Sequence, residues 1–242
     1  MQLRYIKSIQ EVQDGAAKIV AIAWSNNNMK LAVCTADRVV LLFDDSGEKR
    51  DKFSTKPADS KFGKRSYIVK GLAFSPDSTK LAIAQTDNIV FVYKIGEDFG
   101  EKKVICNKFI QTSAVTCIAW PSEGPIVLGC ADGKVRAAHC KTNKAQTLYN
   151  TDSYVCSIVV NANGTGFLSG HADGSIVRWY VAEDQAAKPQ GRQIQIMCNI
   201  ETLSSKGKLL FTRSLPTPWR GPPPISAWQD QIRRSYSTPW RG

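Results

Sequence analysis

Apolar residues gather along Val69–Lys94 in three short runs, Val69–Phe74, Lys80–Gln85 and Ile89–Tyr93, divided by the polar breaks Ser75–Ser78 and Thr86–Asn88. The runs are rich in Val, Ile, Phe and Tyr and too short for helices, so they predict three antiparallel strands. Pro76 presets φ for a turn, and the Asp77 and Asp87 carboxylates bond nearby backbone, which gives each break a mechanism. A single meander of this kind leaves a face uncovered and needs neighbours like itself.

The chain supplies them. Val20–Ser25, Lys30–Thr35 and Val39–Asp44 come before it, and Val115–Pro121, Ile126–Ala131 and Lys134–Cys140 come after. A fourth copy runs through Val155–Val160, Gly166–His171 and Ser175–Val181. Asp37, Asp87, Asp132 and Asp173 mark the tip between second and third strands, at intervals of 50, 45 and 41 residues. That is close to the ~40–45-residue period of four-stranded propeller blades. The four aspartates are read as structural hairpin-tip residues, and Asp132-Gly133 as a two-residue hairpin. Trp24, Phe74 and Trp120 recur at one position, which predicts an inter-blade core.

The fold class is therefore all-β, a propeller fragment of about four four-stranded blades. The blades fall near residues 11–55, 66–111, 113–150 and 153–198, and the partial propeller occupies 1–184. Lys49–Ser54, Val104–Ile110, Ala145–Tyr149 and Gln193–Cys198 are the expected outer strands. Gln2–Gln10 reads as a lone strand, the piece with which a propeller completes its last blade. Lys56–Arg65 is a polar, basic connector, read first as a solvated loop and second as a rim insertion that touches a partner, and Ala182–Gly191 is a polar spacer.

From about Ile200 the pattern stops. Thr217–Gly221 (TPWRG) recurs at Thr238–Gly242, and Pro222–Pro224 is incompatible with a central strand. The tail 199–242 is Pro-rich and basic without strand period, and its composition predicts disorder or translated non-native sequence. It also holds much of the charge. The net charge is +11, of which residues 185–242 supply 9 Lys/Arg against 2 Asp/Glu. The basic balance is thus no property of the repeats, and nucleic-acid binding through the tail is a secondary reading.

Candidate chemistry is sparse. The seven cysteines, Cys34, Cys106, Cys117, Cys130, Cys140, Cys156 and Cys198, include no C-x-x-C pair and sit mostly in apolar runs. That pattern favours reduced thiols over zinc or a disulfide framework, and a reducing compartment. No apolar run is long enough to span a bilayer, and the first ten residues lack a signal-peptide core. The two histidines, His139 and His171, stand beside no marked nucleophile. There is no P-loop, no G-x-G-x-x-G and no metal-spaced His/Cys cluster. Neither a catalytic residue nor a cofactor or metal site is predicted, and the chain does not read as an enzyme.

With its Ser75-Pro76-Asp77 turn, Asp hairpin tips and aromatic-ended third strands, the blade pattern resembles the WD40 family. Phe43-Asp44, Tyr93-Lys94 and Trp179-Tyr180 stand where that family has Trp-Asp, and its Gly-His before the first strand is missing. These departures bear on the family's hydrogen-bonded Asp-His-Ser/Thr-Trp network. More specifically, Asp37–Asp59, Val69–Cys117 and Ser169–Trp179 resemble the extreme N-terminus of the intraflagellar transport protein 172 family, including loops that WD40 proteins in general leave variable. The resemblance implies a non-enzymatic scaffold in cilium assembly and ciliary trafficking, located in the cytoplasm, the cilium and the ciliary base. It implies other intraflagellar transport B subunits as partners, with membrane or cargo contact through the propeller. A WD40 adaptor in a vesicle coat or ubiquitin ligase is the alternative.

Overall fold

The computed structural model describes residues 4–9, 17–58, 67–121, 124–183 and 194–199, with 180–183 and 194–199 described by their backbone. The described residues all belong to one compact unit, Met1–Thr212. They form four antiparallel sheets, each with four strands in chain order. Blade one holds β1 (Ile19–Trp24), β2 (Lys30–Thr35), β3 (Val39–Asp44) and β4 (Lys49–Ser54). Blade two holds β5 (Val69–Phe74), β6 (Lys80–Gln85), β7 (Ile89–Lys94) and β8 (Val104–Ile110). Blade three holds β9 (Val115–Ala119), β10 (Ile126–Cys130), β11 (Lys134–His139) and β12 (Lys144–Asn150). Blade four holds β13 (Val155–Val160), β14 (Gly166–His171), β15 (Ile176–Glu183) and β16 (Ile194–Asn199).

Repeated local chemistry builds the turns. The carbonyls of Ser25, Ser75 and Asn161 accept the N–H three residues on, from Asn28, Ser78 and Gly164, at 2.9, 2.8 and 3.0 Å. The hydroxyls of Ser25 and Ser75 also accept the N–H of Lys30 and Lys80 at 2.8 and 2.9 Å, fixing where the second strand begins. The hairpin tips in blades one to three are three-residue loops whose last residue has positive φ: Arg38 (70°), Asn88 (63°) and Gly133 (81°). Asp132-Gly133 is therefore part of a three-residue loop between Cys130 and Lys134, a type of turn closed by a residue in the left-handed region. A Cβ on Gly133 would lie 2.0 Å from the Thr151 carbonyl oxygen, so only glycine fits there.

The first strands β1, β5, β9 and β13 run in consecutive contact, which sets the blades face to face. Small residues on one blade meet large ones on the next. Ala32, Cys34, Val40 and Leu42 of blade one pack on Phe74, Leu81, Phe91 and Tyr93 of blade two. Ala82, Ala84, Val90 and Val92 of blade two pack on Ile118, Trp120 and Leu128 of blade three. Val127 and Val135 of blade three pack on Phe167, Val177 and Trp179 of blade four. Among the described residues no core cluster joins blade four to blade one. Alternation with period two is what makes one strand serve two interfaces at once.

Two expectations meet the structure differently. Residues 4–9 of the expected Gln2–Gln10 strand form no strand, and Tyr5 and Ile6 stand exposed. A strand needs a partner edge, and this segment instead reaches the β3–β4 turn, where Lys7 Nζ lies 3.2 Å from Glu48. The tail 199–242, apart from Asn199, and connector residues 59–65 and 184–191 lie outside the described residues.

Candidate interaction surface

Each of the four hairpin-tip aspartates sits on its own blade. Asp37 accepts a hydrogen bond from the Thr35 hydroxyl. Asp87 accepts the Ala58 N–H at 2.8 Å, tying the connector after blade one to blade two. Asp132 receives Lys134 Nζ at 2.5 Å and the Lys134 N–H at 3.4 Å. Asp173 receives the Ser175 N–H at 2.9 Å and its hydroxyl at 2.7 Å. The Ser175 hydroxyl and N–H hold the Asp173 carboxyl below its ordinary range. Among the described residues no group of three or more His, Cys, Asp or Glu is placed to hold a metal ion.

The recurring aromatics part company by blade. Phe74 is 3% exposed against blade one, and Trp120 packs partly buried against blade two. Trp24 is 49% exposed, which departs from its expected place in an inter-blade core. Phe74 and Trp120 project toward the preceding blade, and Trp24, paired with Leu31 as Phe74 is with Leu81, holds the same register position as Phe74. Trp24 has no described blade on that side, so its ring faces outward.

Three features escaped the sequence. The first is a clasp between blades one and two. Lys30 Nζ donates to the carbonyls of Gly96 and Glu97 at 2.9 and 2.5 Å, and burial holds its pKa below the ordinary lysine value. Phe99 lies between Lys30 and Arg50, with the cations 5.4 and 5.8 Å from the ring centre. Lys103 donates to Asp51, which also accepts the Gly100 N–H at 3.0 Å. The second is a polar core in blade four. Trp179 Nε1 donates to Ser169 Oγ at 2.9 Å, and that oxygen lies 3.1 Å from His171 Nε2. Tyr149 of blade three packs edge-on against both rings. The third is a part-buried anchor, where Arg136 of blade three donates to the buried Gln111 at 2.7 Å. In sequence, Ser169-x-His171 followed by Trp179 was the available signal for the second.

His139 is held below its ordinary pKa by burial, and His171 is buried against Ser169 and Tyr149. The outer strand β4 offers Lys49 and Arg50, and β8 offers Ile110, to solvent. These positions are open to contact with other molecules.

Comparison with known proteins bears on which. The WD40 family, described as WD domain, G-beta repeat, matches residues 7–44, 105–137 and 142–179. The last two segments begin within β8 and just before β12, so this repeat runs from one blade's outer strand into the next blade. Intraflagellar transport protein 172 homolog from Rattus norvegicus is 62% identical over 198 residues, 82% of this chain and 11% of the relative. The chain carries WD40 repeats and is homologous to the N-terminal tenth or so of the intraflagellar transport 172 proteins. Intraflagellar transport protein osm-1 from Caenorhabditis elegans is 49% identical over 177 residues, covering 73% of this chain and 10% of its own length. The chain thus spans about a tenth of the length of these relatives. Among solved structures, the Myceliophteria thermophila Cps50 (Swd1) β-propeller domain superposes with a TM-score of 0.55 at 14% identity, covering 79% of this chain and 72% of the other. At that identity the likeness concerns the propeller fold.

Proposed function

We propose that this chain is a non-enzymatic interaction scaffold of intraflagellar transport, taking part in cilium assembly and ciliary trafficking. The observation that carries the reading is 62% identity over 82% of the chain to a protein named for that process. The architecture supports it, because blades joined by apolar interfaces expose outer strands and loops without any catalytic constellation among the described residues. Its partners on this reading are other intraflagellar transport B subunits, with membrane or cargo contact through the blades. Its place is the cytoplasm, the cilium and the ciliary base.

The test is affinity purification of the tagged chain from ciliated cells, with imaging of the same tag. Recovery of intraflagellar transport B subunits and signal at the ciliary base are expected. Recovery of coat or ubiquitin-ligase subunits, with no ciliary protein, would overturn the reading in favour of a general WD40 adaptor.

A further inference from the structure

Blades one, two and four join their first and second strands by the same kind of turn, Ser25–Lys30, Ser75–Lys80 and Asn161–Gly166. In each, the N–H of the first residue donates to the carbonyl of the last, at 2.8, 2.9 and 2.9 Å. The fourth residue of each has positive φ: Asn28 at 57°, Ser78 at 59° and Gly164 at 70°. The third residue, Asn27, Asp77 or Asn163, fixes the turn with its side chain. Its Oδ1 accepts the N–H two residues on, from Met29 at 3.1 Å, Thr79 at 3.1 Å and Thr165 at 3.4 Å. Blade two thus makes with a carboxylate the turn that blades one and four make with an amide. At Asp77 burial opposes the charge, yet the Ser75 hydroxyl and the Thr79 N–H hold the carboxyl below its ordinary pKa.

Only in blade four is that amide followed by glycine. Lacking a Cβ, Gly164 leaves the approach to its own backbone nitrogen open, whereas the side chain of Asn28 crowds that approach in blade one. Asn163 is exposed, and its Oδ1 also accepts the Thr165 hydroxyl at 2.8 Å. That hydroxyl receives Asn161 Nδ2 at 3.2 Å. Chained hydrogen bonds polarise one another, which makes the Asn163 Cγ more electrophilic. The bond to the Thr165 N–H folds the Asn163 side chain back along the Gly164 peptide. One contact restrains the pair. The Gly164 N–H donates to the Asn161 carbonyl at 3.0 Å, so the nitrogen is free only when the turn opens. An exposed turn opens at small free-energy cost.

We propose that Asn163-Gly164 is a site of self-modification, at which the Gly164 backbone nitrogen displaces the side-chain amide of Asn163. The nitrogen bonds to Cγ, the Cγ–Nδ2 bond breaks, and the amide takes up the displaced proton and leaves as ammonia. The product is a cyclic succinimide, which water opens at either carbonyl. Opening at Cγ restores the main chain with aspartate at position 163. Opening at the backbone carbonyl leaves isoaspartate, whose main chain runs through Cβ and Cγ. The two products differ in what they do to blade four. Aspartate meets the Thr165 N–H and hydroxyl in a turn that blade two already builds around a carboxylate. Isoaspartate lengthens the main chain inside a turn closed in both directions, Asn161 N–H to the Gly166 carbonyl at 2.9 Å and Gly166 N–H to Asn161 Oδ1 at 3.0 Å. It therefore loosens the β13–β14 hairpin.

The full-length chain, held folded in mildly alkaline buffer and sampled over time by peptide mass spectrometry, tests this. Amide-to-acid conversion is expected at Asn163 several-fold faster than at Asn27 in the same sample. Methyl-acceptor capacity toward a protein isoaspartyl methyltransferase should rise in step. Gly164→Ser gives blade four the residue that blade two carries at this φ, Ser78, so the turn is kept while the nitrogen is crowded. It should slow the conversion several-fold. Asn163→Asp, the normal product, should unfold in urea at the wild-type midpoint and keep its strand circular dichroism. Conversion at Asn163 no faster than at Asn27 overturns the proposal. So does a rate that Gly164→Ser leaves unchanged, or a clear loss of stability in Asn163→Asp.

Discussion

Trp179 Nε1 donates to Ser169 Oγ at 2.9 Å inside blade four, where both side chains are buried. The serine is the hinge of a three-member chain, because its oxygen also lies 3.1 Å from His171 Nε2. Replacing Ser169 by Ala strands two buried polar groups at once. Leaving a buried donor unsatisfied costs about 1–3 kcal/mol, more than the net value of the bond removed. Urea unfolding of Ser169→Ala should show a loss in that range, with Ser169→Thr retaining more of the stability. An Ala variant as stable as wild type would mean that the network carries no weight.

Gly129 and Gly170 occupy one register position in blades three and four, and both correspond to Cys34 of blade one. A Cβ on Gly129 would come within 2.4 Å of Cys117 Sγ and 2.7 Å of Val155 Cγ1, both held in the interface between blades three and four. On Gly170 it would meet only Ser157 Oγ at 3.0 Å, on the outward face. Overpacking a filled core costs about 1–3 kcal/mol. Gly129→Ala should therefore lower the melting temperature by several degrees, while Gly170→Ala changes it little. Equal effects in thermal melts would remove the interface argument.

The repeat was legible because its signals are local. Alternation, the Ser-Pro-Asp and Asn-Gly breaks and the tip aspartates act within a few residues, so strands such as β6 and β7 fall where the pattern puts them. Burial was less so, because it depends on the neighbour. Trp24 and Phe74 carry the same sequence signal, yet one ring is half exposed and the other buried, since only Phe74 has a described blade in front of it. Residues 4–9 failed as a strand for a related reason, having no paired edge in the structure. The clasp on blade one was hidden for a different cause. Lys30 and Lys103 look like ordinary surface lysines until the β7–β8 loop folds back, a path that no residue periodicity encodes. Ser169, His171 and Trp179 were visible as residues but not as a network, because their spacing departs from the family's usual arrangement.

Thiol reactivity should divide the cysteines by position. Burial pushes the thiols of Cys34, Cys130 and Cys140 up to about 11, and burial also raises Cys117. Cys106 and Cys156 are exposed. The thiolate is the nucleophile, so a raised pKa and restricted access both slow alkylation. At neutral pH, iodoacetamide followed by peptide mass spectrometry should label Cys106 and Cys156 first and Cys34 and Cys130 only after unfolding. Labelling of Cys34 as fast as Cys106 in the native chain would contradict this burial pattern.

Asp51 makes the clasp between blades one and two dependent on acid. Burial pushes its pKa up, but the Lys103 ammonium and the N–H groups of Gly100 and Lys52 bond the ionised form and together hold it below the ordinary carboxylate value. A carboxyl with a depressed folded pKa binds fewer protons folded than unfolded. Its stabilisation is thus fully present above the ordinary pKa of about 4 and is lost as pH falls toward the depressed folded value. Lys103 is nearly buried and Asp51 mostly so, so the pair is shielded from salt better than a surface pair. Asp51→Asn should cost about 1–3 kcal/mol at pH 7, the range for hydrogen bonds to charged groups and the donors they leave unpaired. Urea melts of both proteins at pH 7, 5 and 3, in low and high salt, would follow the difference. It should persist at pH 5, shrink toward pH 3 as wild-type Asp51 takes up its proton, and change little with salt. A difference that vanished in salt at pH 7 would show that Lys103 and Asp51 act as a screened surface pair, leaving the joint to the apolar interface around Phe74 and to the bonds of Lys30 with Gly96 and Glu97.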